Sequence, residues 1–463
     1  MENRDSEQDA ILFEPLLKTG PGYWLLIFVL VSTVLWGGYA YMTQFRLGLG
    51  VTGLNRPVFW GFYITNFVFF VGISHAGTLI SAILRLCQAE WRRPITRMAE
   101  AITVLVLFFG AGNILLDLGR PDRVLYMFRY AHLTSPLMWD CISITIYLCG
   151  STTYLYVAMI PDIALLRDRI TDWRQPIYQV LALGWNGSHE QERRLQTAIA
   201  ILAIAVIPIA VSVHTVVSWV FAMTIQPMWH SSIFGPYFVV GAIYSGIAAL
   251  MLAMILLRKI YHLEDYLKEI HFEYLGQLML AMCLLWFYFT FAEYLTAFYG
   301  HEPVEMSIFW AKVTGHYAPY FWTMVVTDLV IPLAILCNRK TRKIAGIAVA
   351  SVSVCIGMWL ERFTIVVPTL VNPRLPWARG SYAPSWVEIS LFAAFIAGFI
   401  LLYAIFVKLF PIISIWEIRE GREQGVAEVT ERLRGYLPGD AGLDQPAKAV
   451  PLTGFGPWTR EIK

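Results

Sequence analysis

The apolar positions of this chain fall into ten runs, at residues 23–43, 58–86, 97–119, 136–160, 195–224, 231–258, 271–299, 319–337, 343–367 and 385–411. Each is close to or beyond the roughly 20 residues a helix needs to cross the hydrocarbon of a bilayer. Lipid cannot satisfy an open backbone, so helix is the predicted form of every run. The expected fold is an all-α membrane protein with about ten transmembrane helices, here called spans one to ten. Residues 1–22 precede the membrane domain 23–411, and residues 412–463 follow it. WGFY at 60–63 and FGPY at 234–237 open spans two and six, while SPLMWD at 135–140 and APYFWT at 318–323 open spans four and eight. This echo predicts two related four-helix bundles, spans two to five and six to nine, flanked by spans one and ten.

Charge fixes an expected orientation. Ten spans put both termini on one side, and the connections on that side carry 16 Lys and Arg against 8 in the opposite loops. Positive residues favour the cytoplasm, so both termini are expected there. The tail sequence WEIREGREQGVAEVTERLRGYL is expected to form a solvated cytoplasmic helix, followed by an extended Gly/Pro-rich arm. The outer loops 120–135, 300–318 and 368–384 are long enough to lie on the membrane or to dock a partner.

Composition narrows the class further. Hydrophobic residues make up 57% of the 463 and charged ones 15%, against about 25% charged in soluble domains. The 17 Trp and 23 Tyr suit anchoring at two lipid–water interfaces. The net charge of +2 gives no basic field for nucleic acid. The six Cys are scattered, with no CxxC, CxxCH or Cys/His cluster, so no iron–sulfur cluster, zinc or c-type haem is expected in this chain.

Ionisable side chains inside a span are functional candidates by default. Asp117 and Arg120 end span three, and Asp140, beside Trp139, lies one turn inside span four. Glu293 ends span seven, Glu361 and Arg362 lie toward the outer end of span nine, and Glu388 begins span ten. Asp328 and His75 are deeper. Pairing between helices is the plainer reading for Glu388 and Glu293. Asp117 and Asp140 flank one outer loop and, with an Arg nearby, could hold a polar headgroup and take protons from it. His75 sits among Ser74, Ala76, Gly77, Ser81 and Ala82, which allow close helix approach; it reads as a packing element, a quinone contact or a proton relay. At 1.5 Å per residue, His75 lies about 25 Å from the outer end of its span and His214 about 15 Å, so a bis-His haem is not expected.

VFWGFYITNFVFFVGISHAGTLISAILRLCQAEWRRPITRMAE, LLDLGRPDR and SPLMWD resemble the NrfD/polysulfide-reductase membrane-subunit family. VSVHTVVSWVFAM, PMWHSSIFGPYFVVGAIYSG and LERFTIVVPTL look like the C component of alternative complex III. The resemblance implies a module that oxidises menaquinol near the outer face and passes electrons to a periplasmic iron–sulfur, molybdopterin-like subunit, which relays them to c-type cytochromes. It also implies a second NrfD-like membrane subunit and the possibility of proton translocation. The C-component pattern has His where this chain has Asp117, and Asp where it has Val220; Asp140 and Arg362 match. The departures leave a quinol site plausible and weaken a proton path through span five. On this basis Asp140 and Asp117 are the expected proton acceptors, with His75, Trp139, Arg120, Arg362 and Tyr63 around the ring. Glu361, Asp328, Glu293 and His214 are proton-path candidates. Two rivals stay open: a proton-coupled transporter, against which stand the missing paired Gly/Pro breaks at the midplane, and a noncatalytic membrane anchor.

Overall fold

The computed structural model describes residues 12–374 and 380–422. Among them every regular element is helical, and ten helices are long and apolar enough to cross a membrane. They run Pro21–Leu47, Phe62–Leu86, Glu90–Asp117, Pro136–Arg169, His189–Ala222, Phe234–Ile260, Glu269–Gly300, Ala318–Leu336, Ile344–Val371 and Trp386–Leu409. Each corresponds to one run of the sequence. The helices of spans four and five extend well past the apolar stretch, to Arg169 and back to His189. Their polar ends continue the helix beyond the depth that hydropathy reports.

Local chemistry sets several ends. Proline occupies the first turn of spans one, four and eight, where its missing N–H has no helical acceptor to lose. Gly48, at φ 76°, closes span one in a backbone region glycine enters without strain. Span ten begins with a capping box: Ser385 Oγ accepts from the Glu388 N–H, and Glu388 Oε2 accepts from the Ser385 N–H at 2.8 Å. Glu388 also accepts from the Gly53 N–H at 2.7 Å and the Tyr382 hydroxyl at 2.6 Å. Its carboxylate therefore holds the first loop to the start of span ten, rather than pairing with a second helix.

Span two packs on three, three on four, four on five, and five on two. Span six packs on seven and nine, and eight contacts both seven and nine. Spans one and ten pack on each other, and span ten also touches three. Spans two, five, six and nine meet at the centre. Two spans depart from α geometry. Span two turns at Ser74 and widens to a π-helix over Thr78–Ile83, and span eight does so over Val326–Val330. Such wide turns often mark functional sites.

Arg92, Arg93 and Arg97, counted among the loop cations, are buried. Arg97 Nη2 donates to Asp162 Oδ2 at 3.0 Å, the Ala158 carbonyl at 3.0 Å and Ser414 Oγ at 3.2 Å. This pair ties spans three and four to the segment after span ten. Residues from Trp416 onward form a separate unit, of which 416–422 are helical. The rest of the expected tail helix and arm, residues 1–11 of the N-terminal segment, and Arg379 lie outside the described residues.

Candidate functional site: a buried polar centre and the odd-loop ends of the spans

The connections after spans one, three, five, seven and nine define one face of the protein, here the odd-loop face. At the centre of the molecule, small residues let helices touch. A Cβ on Gly246 of span six would lie 2.8 Å from the backbone nitrogen of Ala76, and one on Gly77 would lie 2.9 Å from the Ala99 carbonyl oxygen of span three. His75 is thereby held with Nδ1 3.1 Å from the Val71 carbonyl and Nε2 2.9 Å from the Ala210 carbonyl of span five. A neutral imidazole has one N–H and serves only one of these acceptors; the doubly protonated ring serves both.

His214 stands against it. The two ring centroids are 4.4 Å apart, edge to face. His214 is fully buried, and neither of its ring nitrogens has a hydrogen-bond partner among the described residues. The depth mismatch expected from residue counting is therefore wrong. Span two begins at Phe62 rather than 58 and span five ends at Ala222 rather than 224, which together remove only about 3 Å of the difference at 1.5 Å per residue; the rest lies in where the two helix ends sit, which counting along a helix does not see. The rings are packed on one another, with both His75 nitrogens directed at carbonyls, and do not face each other as two axial ligands.

The Arg362 guanidinium lies within electrostatic reach of both rings. It is 2% exposed, hydrogen-bonded to the Glu361 carboxylate, and stacked 4.9 Å from the centre of the Phe238 ring. Gly241 makes room for it, since a Cβ there would fall 2.7 Å from Nη2. Glu361 Oε1 accepts from the Trp286 indole at 3.0 Å. Asp328, on the π-turn of span eight, is fully buried within electrostatic reach of Glu361 and Arg362. Among the described residues, neither of its carboxylate oxygens has a hydrogen-bond partner. Buried charge of this kind is costly unless compensated, so His75, His214, Arg362, Glu361 and Asp328, carried by spans two, five, nine and eight, form one electrostatic unit. The sequence expected these residues singly; the structure brings them together.

Among the described residues, no hydrogen bond or ion pair joins Asp117 or Asp140 to that unit or to each other. Asp117 lies within electrostatic reach of Glu388 and Tyr63. Tyr63 is fully buried, and its hydroxyl donates to Gln44 Oε1 at 2.5 Å, while Gln44 Nε2 donates to the Leu116 carbonyl at 2.8 Å. Asp140 is 6% exposed. Each aspartate has a buried carboxylate oxygen with no partner. Such atoms are rare in folded proteins and ask for an explanation. Two expected neighbours are engaged elsewhere. Arg120 is exposed and paired with Asp122 at 3.0 Å, so it is not positioned as their counter-charge. The Trp139 indole donates to the Leu133 carbonyl at 2.5 Å, within the loop leading to span four.

Two cavities border the centre. One, with room for about a single water, is lined by Gly77, Thr78, Glu100, Thr103, Ser151 and Tyr154. There Ser81 Oγ donates to Glu100, and Thr78 and Tyr147 hydroxyls meet at 2.9 Å. The other lies toward the odd-loop face in spans six to nine and is lined in part by Tyr237, Glu293, Tyr294 and Lys312. Glu293 accepts from Ser231 Oγ at 2.5 Å. Lys312 and Glu100 were not singled out from the sequence. Ile308 and Lys312 stand one turn apart on the helix Pro303–Val313, and Ile308 is fully buried. That i, i+4 spacing is the signal that places Lys312 on an inward face. Among the described residues, no group of three or more His, Cys, Asp or Glu is placed to hold a metal ion.

Comparison with known proteins gives one family and several relatives. The profile of the polysulphide reductase NrfD family matches residues 50–373. The chain is 26% identical to the C component, a membrane subunit, of a putative dimethyl sulfoxide reductase of Halobacterium salinarum, over 83% of this chain and 91% of that protein. It is 25% identical to the C component of the selenate reductase of Mesobacillus selenatarsenatis, over 79% and 89%. It is 24% identical to an Hdr-like menaquinol oxidoreductase integral membrane subunit of Archaeoglobus fulgidus, over 91% of this chain and the full length of that protein.

Proposed function

The chain belongs to the polysulphide reductase NrfD family, and we propose that it is the quinol-handling membrane subunit of a multi-subunit oxidoreductase. In this reading the odd-loop face is periplasmic, both termini are cytoplasmic, and the membrane is a bacterial plasma membrane. The charge asymmetry of the loops supports that orientation. The substrate is menaquinol, in keeping with the Archaeoglobus relative named for menaquinol. Within the family we read the chain as most like the C component of alternative complex III, on the segments around His214, Phe234 and Arg362. The contacts among spans two to five and six to nine support reading them as two related bundles.

The observation that carries the proposal is Asp140: a buried carboxylate near the odd-loop end of span four, with one oxygen left without a donor. A quinol hydroxyl entering from the lipid supplies that donor and then its proton. Asp117 takes the second proton, with Tyr63 and Glu388 setting its surroundings. Oxidation releases two electrons and two protons. The electrons pass to an iron–sulfur centre of a partner protein on the odd-loop face, and onward to c-type haems. The central unit of His75, His214, Arg362, Glu361 and Asp328 offers sites for proton exchange with the membrane interior, and with Glu293 makes up the candidate path for any coupled translocation.

The test is Asp140→Asn in the intact complex. Quinol oxidation is expected to fall by a hundredfold or more, in the range typical of losing a general base, with the composition of the complex unchanged. Undiminished turnover removes Asp140 from the reaction.

A further inference from the structure

The turn joining spans eight and nine gathers more positive charge than its surroundings offset. Residues 338–343 read NRKTRK, and hydrogen bonds fix their backbone. Asn338 Oδ1 accepts from the Lys340 N–H at 2.9 Å, the Asn338 carbonyl accepts from the Arg342 N–H at 2.9 Å, and Thr341 Oγ1 donates to the Ile335 carbonyl at 2.7 Å. Arg342 is pinned beneath the turn, donating to the Leu336 carbonyl at 3.0 Å and to Glu273 Oε1 at 2.9 Å. Arg339, with its side chain 87% exposed, stands 4.0 Å from that same oxygen. Lys340 and Lys343 are exposed and have no carboxylate partner among the described residues. Four cations therefore share one carboxylate.

This differs from the other connections on the same side of the molecule. There Arg97, Arg167, Arg174 and Arg194 each hold a carboxylate at 2.7–3.0 Å. Spans five and seven begin with glutamates in the first turn, whereas span nine begins with Lys343 as its N-cap and no acidic residue in its first turn. Cations at that end oppose the helix dipole and repel one another, and an anion from outside the chain relieves both. Apolar surface leads away from the turn on both helices. Val349, Val352 and Ile356 are exposed along one face of span nine, and Val326 and Val330 are exposed on span eight. They lie within about 20 Å of the turn at 1.5 Å per residue, roughly the depth of one leaflet. A cluster of cations at the membrane surface with apolar helix faces below it matches a phosphate headgroup carrying acyl chains; a soluble anion makes no use of the apolar faces.

We propose that the turn 338–343 is a binding site for an anionic phospholipid, with the phosphate among Arg339, Lys340 and Lys343 and the acyl chains along spans eight and nine. The inference stands apart from the quinol reading, since it needs only that the chain lies in a bilayer. The two helices held by this lipid are those that carry Asp328, Glu361 and Arg362.

Native mass spectrometry of the full chain released from detergent, with phosphatidylglycerol and phosphatidylethanolamine of matched acyl chains added, tests it. The parent is expected to retain phosphatidylglycerol about tenfold more tightly or better. The triple variant Arg339→Gln, Lys340→Gln and Lys343→Gln is expected to lose that preference, a drop of about tenfold or more for three cations removed. Arg46→Gln with Arg123→Gln and Arg129→Gln, which removes as many cations from the odd-loop face, is expected to keep it. Equal retention of the two lipids by the parent overturns the proposal. So does a preference unchanged in the first variant, or one lost equally in the second. Displacement of the lipid by inorganic phosphate makes the turn a soluble-anion site and likewise overturns it. If the first variant does not insert, a photoactivatable phosphatidylglycerol on the parent decides: label is expected within residues 338–356, and label only elsewhere contradicts the site.

Discussion

His75 of span two and His214 of span five lie with their rings 4.4 Å apart, and the His75 Nε2 is 2.9 Å from the Ala210 carbonyl one helical turn before His214. This contact joins two helices at the point where span two leaves α geometry. It also draws the Arg362–Glu361 pair and Asp328 into one buried electrostatic unit.

The close approach beneath His75 depends on Gly246. A Cβ there meets the Ala76 backbone nitrogen at 2.8 Å and the Ile73 carbonyl at 3.3 Å, and backbone cannot swing aside as a flexible side chain can. Gly246→Ala is therefore expected to push spans two and six apart, at about 1–3 kcal/mol, the usual range for overpacking. Thermal unfolding of the purified protein in detergent checks this. A melting point equal to the parent's shows that the contact relaxes without cost.

The Arg97–Asp162 pair is the firmest buried ion pair near the even-loop ends of the spans, with both side chains almost fully buried. Arg97→Met removes the guanidinium from Asp162, which keeps the Ser414 hydroxyl and the Ile415 N–H, and losing one partner of a buried pair costs up to about 3–5 kcal/mol. Arg97→Met with Asp162→Leu removes both charges and is expected to recover most of that loss. Unfolding midpoints of the parent, both singles and the double form the cycle that checks it; a double variant as unstable as Arg97→Met alone contradicts the ion-pair account.

Lys312 gives a pH signature with a definite sign. Its folded value, about 8, lies below the usual 10.5, so between about pH 8 and 10.5 the opened state binds more protons than the closed one. The stability of the helix Pro303–Val313 against opening therefore rises with pH through that window. The groups facing Lys312 from span seven are Glu293 and Tyr294, and from span six Tyr237. Glu305 on the lysine's own helix and His230 act on Glu293. Protease cleavage after Lys312, corrected for the enzyme's own pH profile, is expected to slow from pH 8 to 10. Lys312→Met, probed by a protease cutting at a neighbouring aromatic residue, is expected to lose that dependence.

The spans were legible because each carries close to or above 20 apolar residues, a length that few alternatives explain. Their ends were less so. Hydropathy reports where lipid contact stops, whereas Ser188 and the charged turns after 160 carry the helices of spans five and four further. The grouping of the central residues was hidden for a related reason: depth counted along one helix ignores where that helix starts and how it tilts, so His75 and His214 stand apart by counting and touch in space. Arg120 read as a neighbour of Asp117 because it follows three residues later, yet Asp122 holds it in the loop. Lys312 read as a loop cation because the apolar run Ile308–Val313 around it is too short to span a membrane; its register with Ile308 is what marks it as inward-facing. Asp117 and Asp140 needed only their own spans to be noticed, and their unpartnered oxygens are what the structure adds.

The central claim is that this chain binds and deprotonates a quinol whose electrons must leave at once to another protein. Menaquinol oxidation followed in parallel for the intact complex and for the purified chain alone, each with a soluble electron acceptor present, tests it most directly. The account predicts rapid turnover by the complex, accompanied by reduction of its partner centres, and none above the uncatalysed rate by the chain alone. Sustained menaquinol oxidation by the isolated chain, at a rate comparable to the complex, contradicts it.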